Sequence, residues 1–532
     1  MRKQTKLVAV LSAAALLAIG ASMTSFAAKG WVEEGGQWYY YNNNGDYVSN
    51  EWKKSGNNWF WLGDDGAMVT DTLVEDGNYY YYVNANGAMV TNSWVAVEPG
   101  EDNAEDDAPD HYWYYFGANG KAYKAGDSGL SIKTINGKKY GFDQDSKMVY
   151  GFVQEDGTKN TDENPFVDAT YYFGDSDDGA MHTDWLQYMD GSDLSSDWND
   201  KEYADMDEMW FYFKPSNGKM VKIDYSGDGD VKLKTQTIRG NKYGFDGYGV
   251  MVYSWQNTDS SVSTPNKYFS DQTDGHMKKK TWVWAVPDAD QNSVDHEDET
   301  NRWFYVGSTG DTYRHSIKKI NGKKYLFDDD GIMKAGLQWV NASDIANVKI
   351  DDSDDITDTS DQIKNYKDTD QYDLYYFGDE EKDGSMKTGK NIKIELDDDT
   401  FTFGFKSNGK AYDYDKDGLV DKKIYINGIL QKADTDAKYI PMDEGFVIGT
   451  SGTIVGKGKY VKDGDDVWYG VYKADANNQD YKDFSVGDDF DKDRAREYSK
   501  WGEVCGHVDN DKDKWVNGSA EKDEATGDYS CK

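Results

Sequence analysis

A motif of 21 residues recurs along this chain, and it constrains the fold more than any other feature. The clearest copy begins at Trp52, passes through the aromatic triplet 59–61 and a glycine turn, and ends on Met68. Leu73 occupies the place of Trp52 one period later, and Trp31 occupies it one period earlier. A fixed period of about 20 residues is typical of solenoids, whose units are stable only when stacked on their neighbours.

The composition indicates many small cores rather than one large aliphatic core. Aromatic residues make up 15% of the 532 residues, hydrophobic residues only 37%, and 54 glycines are available for tight turns. We therefore predict an all-β fold, a β-hairpin solenoid of roughly 20-residue aromatic repeats with acidic loop insertions, over residues 28–432. Within each unit, we expect the aromatic triplet to open a hairpin that turns at the glycine and returns through a short strand bearing the methionine.

Two variations are superimposed on this repeat. A tighter unit around Asn-Gly-Lys-Lys-Tyr at 136–140 recurs with small changes at 239–243 and 321–325. Other units carry insertions rich in Asp, Asn and Ser between the opening aromatic residue and the aromatic cluster, at 97–111, 154–169, 187–208, 256–266, 287–301 and 341–373. Insertions at a constant place map to one face or edge of a solenoid, often the working one. The alternative is that they are solvated loops.

The two ends of the chain differ from the repeats. Arg2, Lys3 and Lys6 precede an apolar run, and a small-residue cleavage pattern follows, so residues 1–27 are predicted to be a secretory signal peptide. No further apolar run is long enough to span a membrane, so we expect a secreted protein without a membrane span after signal removal. Residues 433–532 are expected to form a C-terminal cap or a small module of unknown role.

The tail contains the two cysteines of the chain, Cys505 and Cys531. In an oxidising compartment such a pair predicts a disulfide, and two free thiols are the alternative.

The formal net charge of −39 argues against a nucleic-acid partner, because nucleic-acid binding needs basic patches. It favours the attraction of cations. Asp413, Asp415, Asp417 and Asp421 alternate as carboxylates do in calcium loops, but Ile424 stands where an EF-hand needs its bidentate acid. We therefore expect no required cofactor, with calcium in a short turn as the candidate and solvated acidic loops as the alternative.

Catalysis finds little support in the sequence. The six histidines lack metal-ligand spacing, and no nucleophile motif of the Gly-x-Ser-x-Gly type occurs. Carboxylate pairs carry no information about glycosidase chemistry in a chain with 98 acidic residues. We expect a non-enzymatic protein, and the alternative is a small hydrolase in the tail at 433–532.

The repeats resemble the cell-wall-binding repeats of Gram-positive surface proteins, a family that includes the choline-binding and glucan-binding repeats. The resemblance rests on Trp52, the triplet 59–61 and the Gly-Ala-Met-Val run at 66–69, and it extends over residues 30–432. The tighter unit at 320–333 is similar to related repeats at the C-termini of large clostridial toxins. The resemblance implies ligand sites between successive β-hairpins.

In choline-binding members, the opening tryptophan and hairpin aromatics of neighbouring units surround a quaternary ammonium, and a desolvated cation over such rings gains about 2 kcal/mol. The matching residues are Trp31, Trp38 and Trp59 for one cage, and Trp52, Trp59 and Tyr80, with Met68 nearby, for the next. From Trp94 onward, insertions separate the opening aromatic residue from its cluster, so we expect cages only within residues 31–94. Elsewhere the rings are expected to stack on sugars or to form core between hairpins.

The resemblance therefore implies a secreted, cell-wall-associated protein that binds a wall polymer, either choline-bearing teichoic acid or a glycan, without forming a covalent bond. The alternative is a carbohydrate-binding adhesin for glucan or host glycan. The acidic insertions are then expected to face a host or protein partner.

Overall fold

The computed structural model describes residues 29–99, 109–159, 165–188, 208–223, 233–258, 264–344, 347–353, 356–379, 383–442, 446–456 and 460–465, together with strand segments between 467 and 531. The regular secondary structure of this part of the chain is almost entirely β-strand, arranged in repeated hairpins, which confirms the predicted all-β class. No helix among these residues is long and apolar enough to cross a membrane. The predicted signal peptide at 1–27 lies outside the described residues.

The chain divides into two compact units, residues 1–278 and 279–532. The strands of the first unit are β1 (Gly30–Glu34), β2 (Gln37–Tyr41), β3 (Glu51–Ser55), β4 (Asn58–Leu62), β5 (Thr72–Asp76), β6 (Tyr79–Val83), β7 (Ser93–Val97), β8 (Tyr112–Phe116), β9 (Ser131–Ile135), β10 (Lys138–Phe142), β11 (Phe152–Val153), β12 (Tyr171–Tyr172), β13 (Asp184–Gln187), β14 (Trp210–Phe213), β15 (Lys234–Ile238), β16 (Asn241–Phe245), β17 (Ser254–Gln256) and β18 (Lys267–Phe269).

The second unit adds three short helices, α1 (Ser293–Glu297), α2 (Ser360–Lys364) and α3 (Tyr414–Asp417). Its strands are β19 (Thr281–Ala285), β20 (Arg302–Val306), β21 (Ser316–Ile320), β22 (Lys323–Phe327), β23 (Met333–Lys334), β24 (Leu337–Asn341), β25 (Lys349–Ile350), β26 (Asp373–Tyr376), β27 (Gly389–Leu396), β28 (Asp399–Phe405), β29 (Tyr425–Ile426), β30 (Ile429–Leu430), β31 (Tyr439–Pro441), β32 (Val447–Gly449), β33 (Tyr460–Lys462), β34 (Val467–Lys473), β35 (Gln479–Ser485), β36 (Ala495–Ser499), β37 (Gly502–Asp509), β38 (Lys514–Asn517), β39 (Ala520–Lys522) and β40 (Tyr529–Cys531).

Consecutive strands pair as antiparallel hairpins from β1–β2 through β21–β22. In β3–β4, Trp52 pairs with Trp61 and Ser55 pairs with Asn58, so the chain turns at Gly56 and the aromatic strand comes second. The predicted hairpin, with the aromatic strand first, is therefore wrong. A glycine turn follows Leu62 and reverses the chain, so that Met68 forms an isolated β-bridge with Leu62.

The turn between the two strands explains this pairing. In the tight unit, Asn136 and Gly137 both adopt positive φ, at 48° and 82°, between the paired residues Ile135 and Lys138. Two-residue loops of this kind match the right-handed twist of paired strands. The prediction from sequence placed the turn of the hairpin at the wrong glycine, because each unit contains two turns with suitable residues.

Side chains alternate between the two faces of each hairpin. We number the five residues of the second strand one to five, so that β4 runs from Asn58 at position one to Leu62 at position five. In β4, positions three and five are buried, with Phe60 2% exposed and Leu62 0% exposed. Positions two and four, Trp59 and Trp61, share the other face with the opening residue Trp52, which lies directly opposite Trp61.

Successive units are joined by backbone hydrogen bonds and by packing at the glycine turn. The Met68 N–H donates to the carbonyl of Trp38 at 2.7 Å, and the Met89 N–H donates to the carbonyl of Trp59 at 2.8 Å. The turn glycine of the next unit, Gly87, lies against the side chain of Met68. Each unit therefore depends on its neighbour for hydrogen bonding and for packing, as expected of a solenoid.

The insertions replace the short turn between the two strands of a hairpin. Strand β7 pairs with β8 across residues 98–111, and Trp94 still lies opposite Tyr115. Several insertions also pack on the hairpins, since Phe166 and Ile363 are fully buried. In the insertion at 287–301, the Arg302 guanidinium donates to both carboxylate oxygens of the buried Asp295, at 2.9 and 2.7 Å. Where they are described, these insertions are thus more than solvated loops.

The repeat continues beyond the predicted boundary at residue 432. Around Gly452 the backbone hydrogen bonds match those around Gly66, and the Ile454 N–H donates to the carbonyl of Lys422 at 2.9 Å. Phe446 and Ile448 pack in one buried cluster with Ile424. A further repeat unit therefore extends to residue 455.

Candidate ligand-binding site

The opening tryptophan of the first unit lies between two hairpins. Trp31 contacts Tyr40, at position four of its own hairpin, with ring centroids 5.5 Å apart and planes at 80°. It also contacts Phe60, at position three of the next hairpin, at 5.4 Å and 72°. Trp38 and Glu33 lie directly opposite each other on the same face as Trp31. Trp31 is half-buried, so part of its ring stays accessible beside these two side chains.

Trp52 repeats this arrangement one unit later. Its ring centroid lies 5.2 Å from that of Trp61 in its own hairpin and 5.1 Å from that of Tyr81 in the next hairpin. Its indole N–H donates to Asp76 at 3.2 Å, which fixes the ring.

Three further copies occur down the chain. They pair Trp94 with Tyr115 at 5.2 Å and Tyr140 at 4.8 Å, Trp185 with Tyr212 at 5.1 Å and Tyr243 at 4.9 Å, and Trp282 with Tyr305 at 5.1 Å and Tyr325 at 4.8 Å. Each also has a tryptophan two residues before the tyrosine of its own hairpin, namely Trp113 at 6.4 Å, Trp210 at 6.4 Å and Trp303 at 6.1 Å from the opening ring. Ring clusters of this kind therefore continue beyond residue 94, because the insertions leave the strand register intact; whether ligand cages are confined to residues 31–94 stays a prediction.

The third member of each predicted cage needs correction. Trp59 lies on the same face of its hairpin as Trp52. Phe60, the residue that contacts Trp31, lies on the opposite face. Tyr80 likewise packs with the cluster around Tyr114 in the following hairpin. The neighbouring unit therefore contributes its third residue and not its second, because side chains alternate along a strand. Trp31 shares a hairpin face with Trp38, and Trp52 shares one with Trp59, while their role as ligand cages stays a prediction.

Met68 packs between successive units. Its Sδ and Cε atoms lie against Gly87 of the next turn, and Met89 lies against Gly120 in the same way. The methionine of each unit therefore belongs to the packing between turns.

The charges beside the rings differ from unit to unit. The residue opposite position two is Glu33 in the first hairpin and Lys54 in the second, where the ammonium lies 5.9 Å from the Trp59 ring centroid. An exposed carboxylate beside Trp31 and Trp38 favours a bound cation, whereas Lys54 competes with one. Lys121 similarly places its ammonium 3.5 Å from the ring centroid of Tyr79.

Burial and hydrogen bonding move the pKa of the clustered tyrosines still further above physiological pH. Desolvation, followed by the hydrogen bond from its hydroxyl to Asp71, raises the pKa of Tyr82 to about 12. Desolvation also raises the pKa of Tyr115 and Tyr140 beside Trp94. These rings therefore present neutral π-faces at physiological pH.

The opening rings that follow the tight units are buried instead. Phe152 is 3%, Trp255 6% and Trp339 1% exposed. Trp339 stacks on Tyr366 of the insertion at 341–373, with centroids 3.8 Å apart and planes at 14°. These three positions are core, so ring clusters with accessible faces alternate with core positions along the downstream part of the chain.

The four aspartates of the calcium prediction do not converge. Asp417 accepts two hydrogen bonds from Lys406, at 2.8 and 2.6 Å, and Asp421 accepts one from Lys390 at 2.6 Å. Asp413 precedes helix α3 as its N-cap residue and accepts a hydrogen bond from the Asn427 N–H at 3.3 Å. Among the residues that the structure describes, no three histidine, cysteine or acidic side chains are placed to hold a metal ion. This geometry gives the calcium prediction no support.

Three of the described histidines make local contacts within the fold. A ring nitrogen of His182 is 2.9 Å from the carbonyl of Trp185, and one of His296 is 2.9 Å from the carbonyl of Pro287. His276 lies 2.6 Å from Asp274 in a turn. The side chains of Cys505 and Cys531 lie outside the described residues, so the disulfide stays a prediction.

Comparisons with known proteins place this geometry in context. The family described as "Choline-binding repeat" matches residues 50–94, and the family described as "Putative cell wall binding repeat" matches residues 29–47 and 318–333. Comparison with curated protein sequences gives no significant match.

Three solved structures from Streptococcus pneumoniae are similar. CbpJ from strain TIGR4 is 15% identical with a TM-score of 0.37, over 68% of this chain and 99% of that one. Choline binding protein F, solved in the presence of a peptidoglycan analogue, is 19% identical with a TM-score of 0.35, over 69% and 100%. The modular autolysin LytC, in complex with a synthetic peptidoglycan ligand, is 17% identical with a TM-score of 0.32, over 58% and 54%.

The matched stretches contain the Trp31 and Trp52 hairpins and the third tight unit, which are the elements that build the ring clusters described above. Residues 29–47, 50–94 and 318–333 of this chain are therefore repeats of the choline-binding and cell-wall-binding type.

Proposed function

We propose that this protein is a secreted surface protein that binds choline groups of a cell-wall polymer non-covalently, through the ring clusters between its hairpins. The observation that carries the proposal is the repeated geometry of the five opening tryptophans. Each has an aromatic ring of its own hairpin and one of the next hairpin at centroid distances from 4.8 to 5.5 Å. Each of these tryptophans is half-buried, so ring surface remains for a ligand.

Charge also supports a cationic ligand. The chain carries a formal net charge of −39, which concentrates cations near its surface. Glu33 adds a carboxylate on the face of Trp31 and Trp38, which makes the first hairpin the most favourable place for a quaternary ammonium among the first three units. Lys54 makes the second hairpin less favourable.

Several weak sites on one molecule would act together on a polymer that displays many choline groups. A single cation–π contact stabilises binding by about 0.5–2 kcal/mol, but linked contacts act at a high effective concentration. Retention on a multivalent surface is then much tighter than binding of free choline, and excess free choline should reverse it.

The test is retention of residues 28–532 on choline-agarose, followed by elution with free choline. We expect retention, with Trp31→Ala eluting at roughly two- to fivefold lower choline because one cluster is lost. Tyr47→Ala is the matched control, since Tyr47 is a 53% exposed ring of the same unit outside the cluster. Failure of the unaltered chain to bind, or binding that free choline does not reverse, would exclude choline. Displacement by soluble glucan alone would support the carbohydrate-binding alternative.

We also propose that the protein acts by binding and has no catalytic activity of its own. The structural roles of His182, His276 and His296 support this, as does the use of acidic residues in turns and ion pairs. Incubation of the purified chain with peptidoglycan and with α-glucan should release no soluble fragments. Release of fragments that persists after repurification would contradict the proposal. It would indicate a hydrolase, for which residues 433–532 are the candidate.

A further inference from the structure

A polar cavity of about 500 Å³ lies in the first compact unit, apart from the ring clusters. One side of its lining precedes strand β14, and the other comes from the hairpin β17–β18 and its adjoining turns. The lining residues are Glu208, Tyr253, Ser254, Tyr268, Ser270, Asp271, Gln272 and Thr273. None of the opening tryptophans or their partner rings is among them. The volume is within the range of about 300–1,000 Å³ that is typical of small-molecule sites.

The internal repeats show that the fold does not require the two serines of this cavity. The Ser254 N–H donates to the carbonyl of Ser270 at 3.0 Å. In the equivalent hairpins β11–β12 and β24–β26 the same bond joins two glycines, Gly151 to Gly174 at 3.0 Å and Gly336 to Gly378 at 2.9 Å. Ser254 has a φ of 57°, in the left-handed region that favours glycine. Serine therefore replaces glycine at both positions, and what it adds is two hydroxyl groups in the wall of the cavity.

The hydroxyl groups of the lining lack partners within the fold. Ser270 is only 8% exposed, yet its hydroxyl makes no hydrogen bond to any residue that the structure describes. The hydroxyls of Ser254 and Tyr268 likewise find no partner in the described part of the chain. Desolvation, followed by the charge of Asp271, raises the pKa of Tyr268, so this phenol is neutral at physiological pH. Since buried polar groups in proteins are normally paired, the cavity offers these hydroxyls to a bound molecule.

Two carboxylates give the cavity its charge. Oδ1 of the exposed Asp271 accepts three hydrogen bonds within its own turn, whereas Oδ2 accepts none from the described residues. In the half-buried Glu208, Oε2 accepts from the Trp210 indole N–H at 3.0 Å, and Oε1 has no partner in the same part of the chain. No lysine or arginine is among the lining residues. Lys278 acts on Asp271 from outside the cavity and lies 3.8 Å from Asp274.

These groups together favour a primary ammonium as the ligand. It is a compact cation with three N–H donors, so it can bond to carboxylate and hydroxyl oxygens at the same time. Hydrogen bonds between ammonium and carboxylate groups are roughly twice as strong as neutral ones. A quaternary ammonium has no N–H to donate and would leave the same oxygens unpaired. A metal ion fits less well, because two carboxylates do not complete a coordination shell.

We propose that this cavity binds a primary ammonium group on a short aliphatic chain, as carried by a diaminoalkane or by a lysine side chain. The carboxylates of Glu208 and Asp271 balance its charge, and the hydroxyls of Ser254 and Ser270 accept its remaining N–H groups. The two tyrosines of the lining provide ring surface for the methylene groups. The proposal goes beyond choline binding and does not rest on it, since the ring clusters take no part in this cavity.

Calorimetric titration of residues 28–532 with cadaverine, and separately with Nα-acetyl-lysine methylamide, tests the proposal. Saturating choline is present throughout, so that the ring clusters are filled. We expect binding of at least one amine. Binding of cadaverine alone would identify a free diamine as the ligand, and binding of the lysine derivative alone would identify a side chain presented by a peptide. Binding that occurs only when choline is omitted would overturn the proposal, as would no binding of either amine.

The double variant Ser254→Gly with Ser270→Gly is the sharpest test, because the equivalent hairpins fold with glycine at both positions. We expect roughly tenfold weaker amine binding by this variant and by Glu208→Gln, in line with the loss of hydrogen bonds to a charged group. Glu297→Gln is the matched control, since Glu297 is an exposed carboxylate of helix α1, and it should bind as the unaltered chain does.

Retention of the double variant on choline-agarose should be unchanged, which separates this proposal from the choline proposal. Equal amine affinity of the double variant, Glu208→Gln and the unaltered chain would show that the cavity is not the binding site.

Discussion

Single residues set the spacing between successive units. Gly87 has a φ of +73°, and a Cβ atom placed on it would lie 2.8 Å from both the Sδ and Cε atoms of Met68. The same contact joins Gly120 to Met89. Glycine is needed at this turn for two separate reasons, the left-handed backbone and the space taken by the methionine of the preceding unit. Methionine suits the position because its flexible side chain fills irregular gaps.

Gly87→Ala should therefore destabilise the protein by more than the strain of a left-handed alanine. We expect a loss of about 2–4 kcal/mol, of which about 1–2 kcal/mol is backbone strain. Gly77→Ala separates the two effects, since Gly77 has a φ of +63° with no atom within 4 Å of the added Cβ. Denaturant unfolding of both variants, and of Gly87→Ala combined with Met68→Ala, measures the coupling. Equal losses for Gly77→Ala and Gly87→Ala would contradict the packing role of Met68.

At the scale of elements, one side chain caps the glycine turn in several of the units. In the third unit Asn84 accepts hydrogen bonds from the N–H groups of Asn86 and Ala88 at 2.9 and 3.1 Å. In the tight unit the same place is taken by Asp143, which accepts from the Lys147 N–H at 2.7 Å. Burial raises the pKa of Asp143 to about 6, against an ordinary value of 3.8, because the charged form is desolvated.

Asp143→Asn should stabilise the tight unit at neutral pH. Since folding raises the pKa of Asp143, its contribution to stability is fully present below about pH 4 and is lost as the pH rises through about 6. The asparagine keeps the hydrogen bond, as Asn84 shows, and removes this loss, so we expect a gain on the order of 1–3 kcal/mol at pH 7 that vanishes near pH 4. Thermal unfolding of Asp143→Asn and of the unaltered chain at pH 4, 5, 6 and 7 measures this gain in stability. Asp64→Asn, in an exposed turn position, should change little at any pH, and a pH-independent effect of Asp143→Asn would rule out the titration.

At the scale of the whole molecule, stability depends on each unit covering the one before it. Ile424 is 0% exposed because Phe446 and Ile448, also buried, pack in the same cluster. The bond from the Ile454 N–H to the carbonyl of Lys422 joins the two units. The unit that ends at residue 455 therefore covers the apolar end of the repeats that precede it.

A chain that ends at residue 432 should be less stable than one that ends at residue 456. Removal of Phe446 and Ile448 exposes Ile424 and leaves backbone groups without partners, so we expect a loss of about 2–5 kcal/mol from the second compact unit. Calorimetric scans of 28–432 and 28–456 compare them directly. Identical melting profiles would show that residues 433–456 do not cap the repeats.

The fold class was accessible from the sequence because periodicity reports stacking directly. The 21-residue spacing of Trp31, Trp52 and Leu73, together with the aromatic triplets, was enough to predict an all-β array of hairpins. The pairing within a unit was not accessible, because both Gly56 and Gly66 stand in turns that can close a hairpin. Only the observed register, with Trp52 opposite Trp61, decides between them.

The site was partly accessible for the same reason. The sequence by itself determined that opening tryptophans recur and that rings of neighbouring units meet, since a fixed period places equivalent residues in equivalent environments. The tertiary structure decided which ring of the next unit meets them, Phe60 and Tyr81 in place of Trp59 and Tyr80, because strand alternation turns adjacent residues to opposite faces. It also decided that the clusters of Trp94, Trp185 and Trp282 survive their insertions, because an insertion within a hairpin loop leaves the pairing of its strands unchanged.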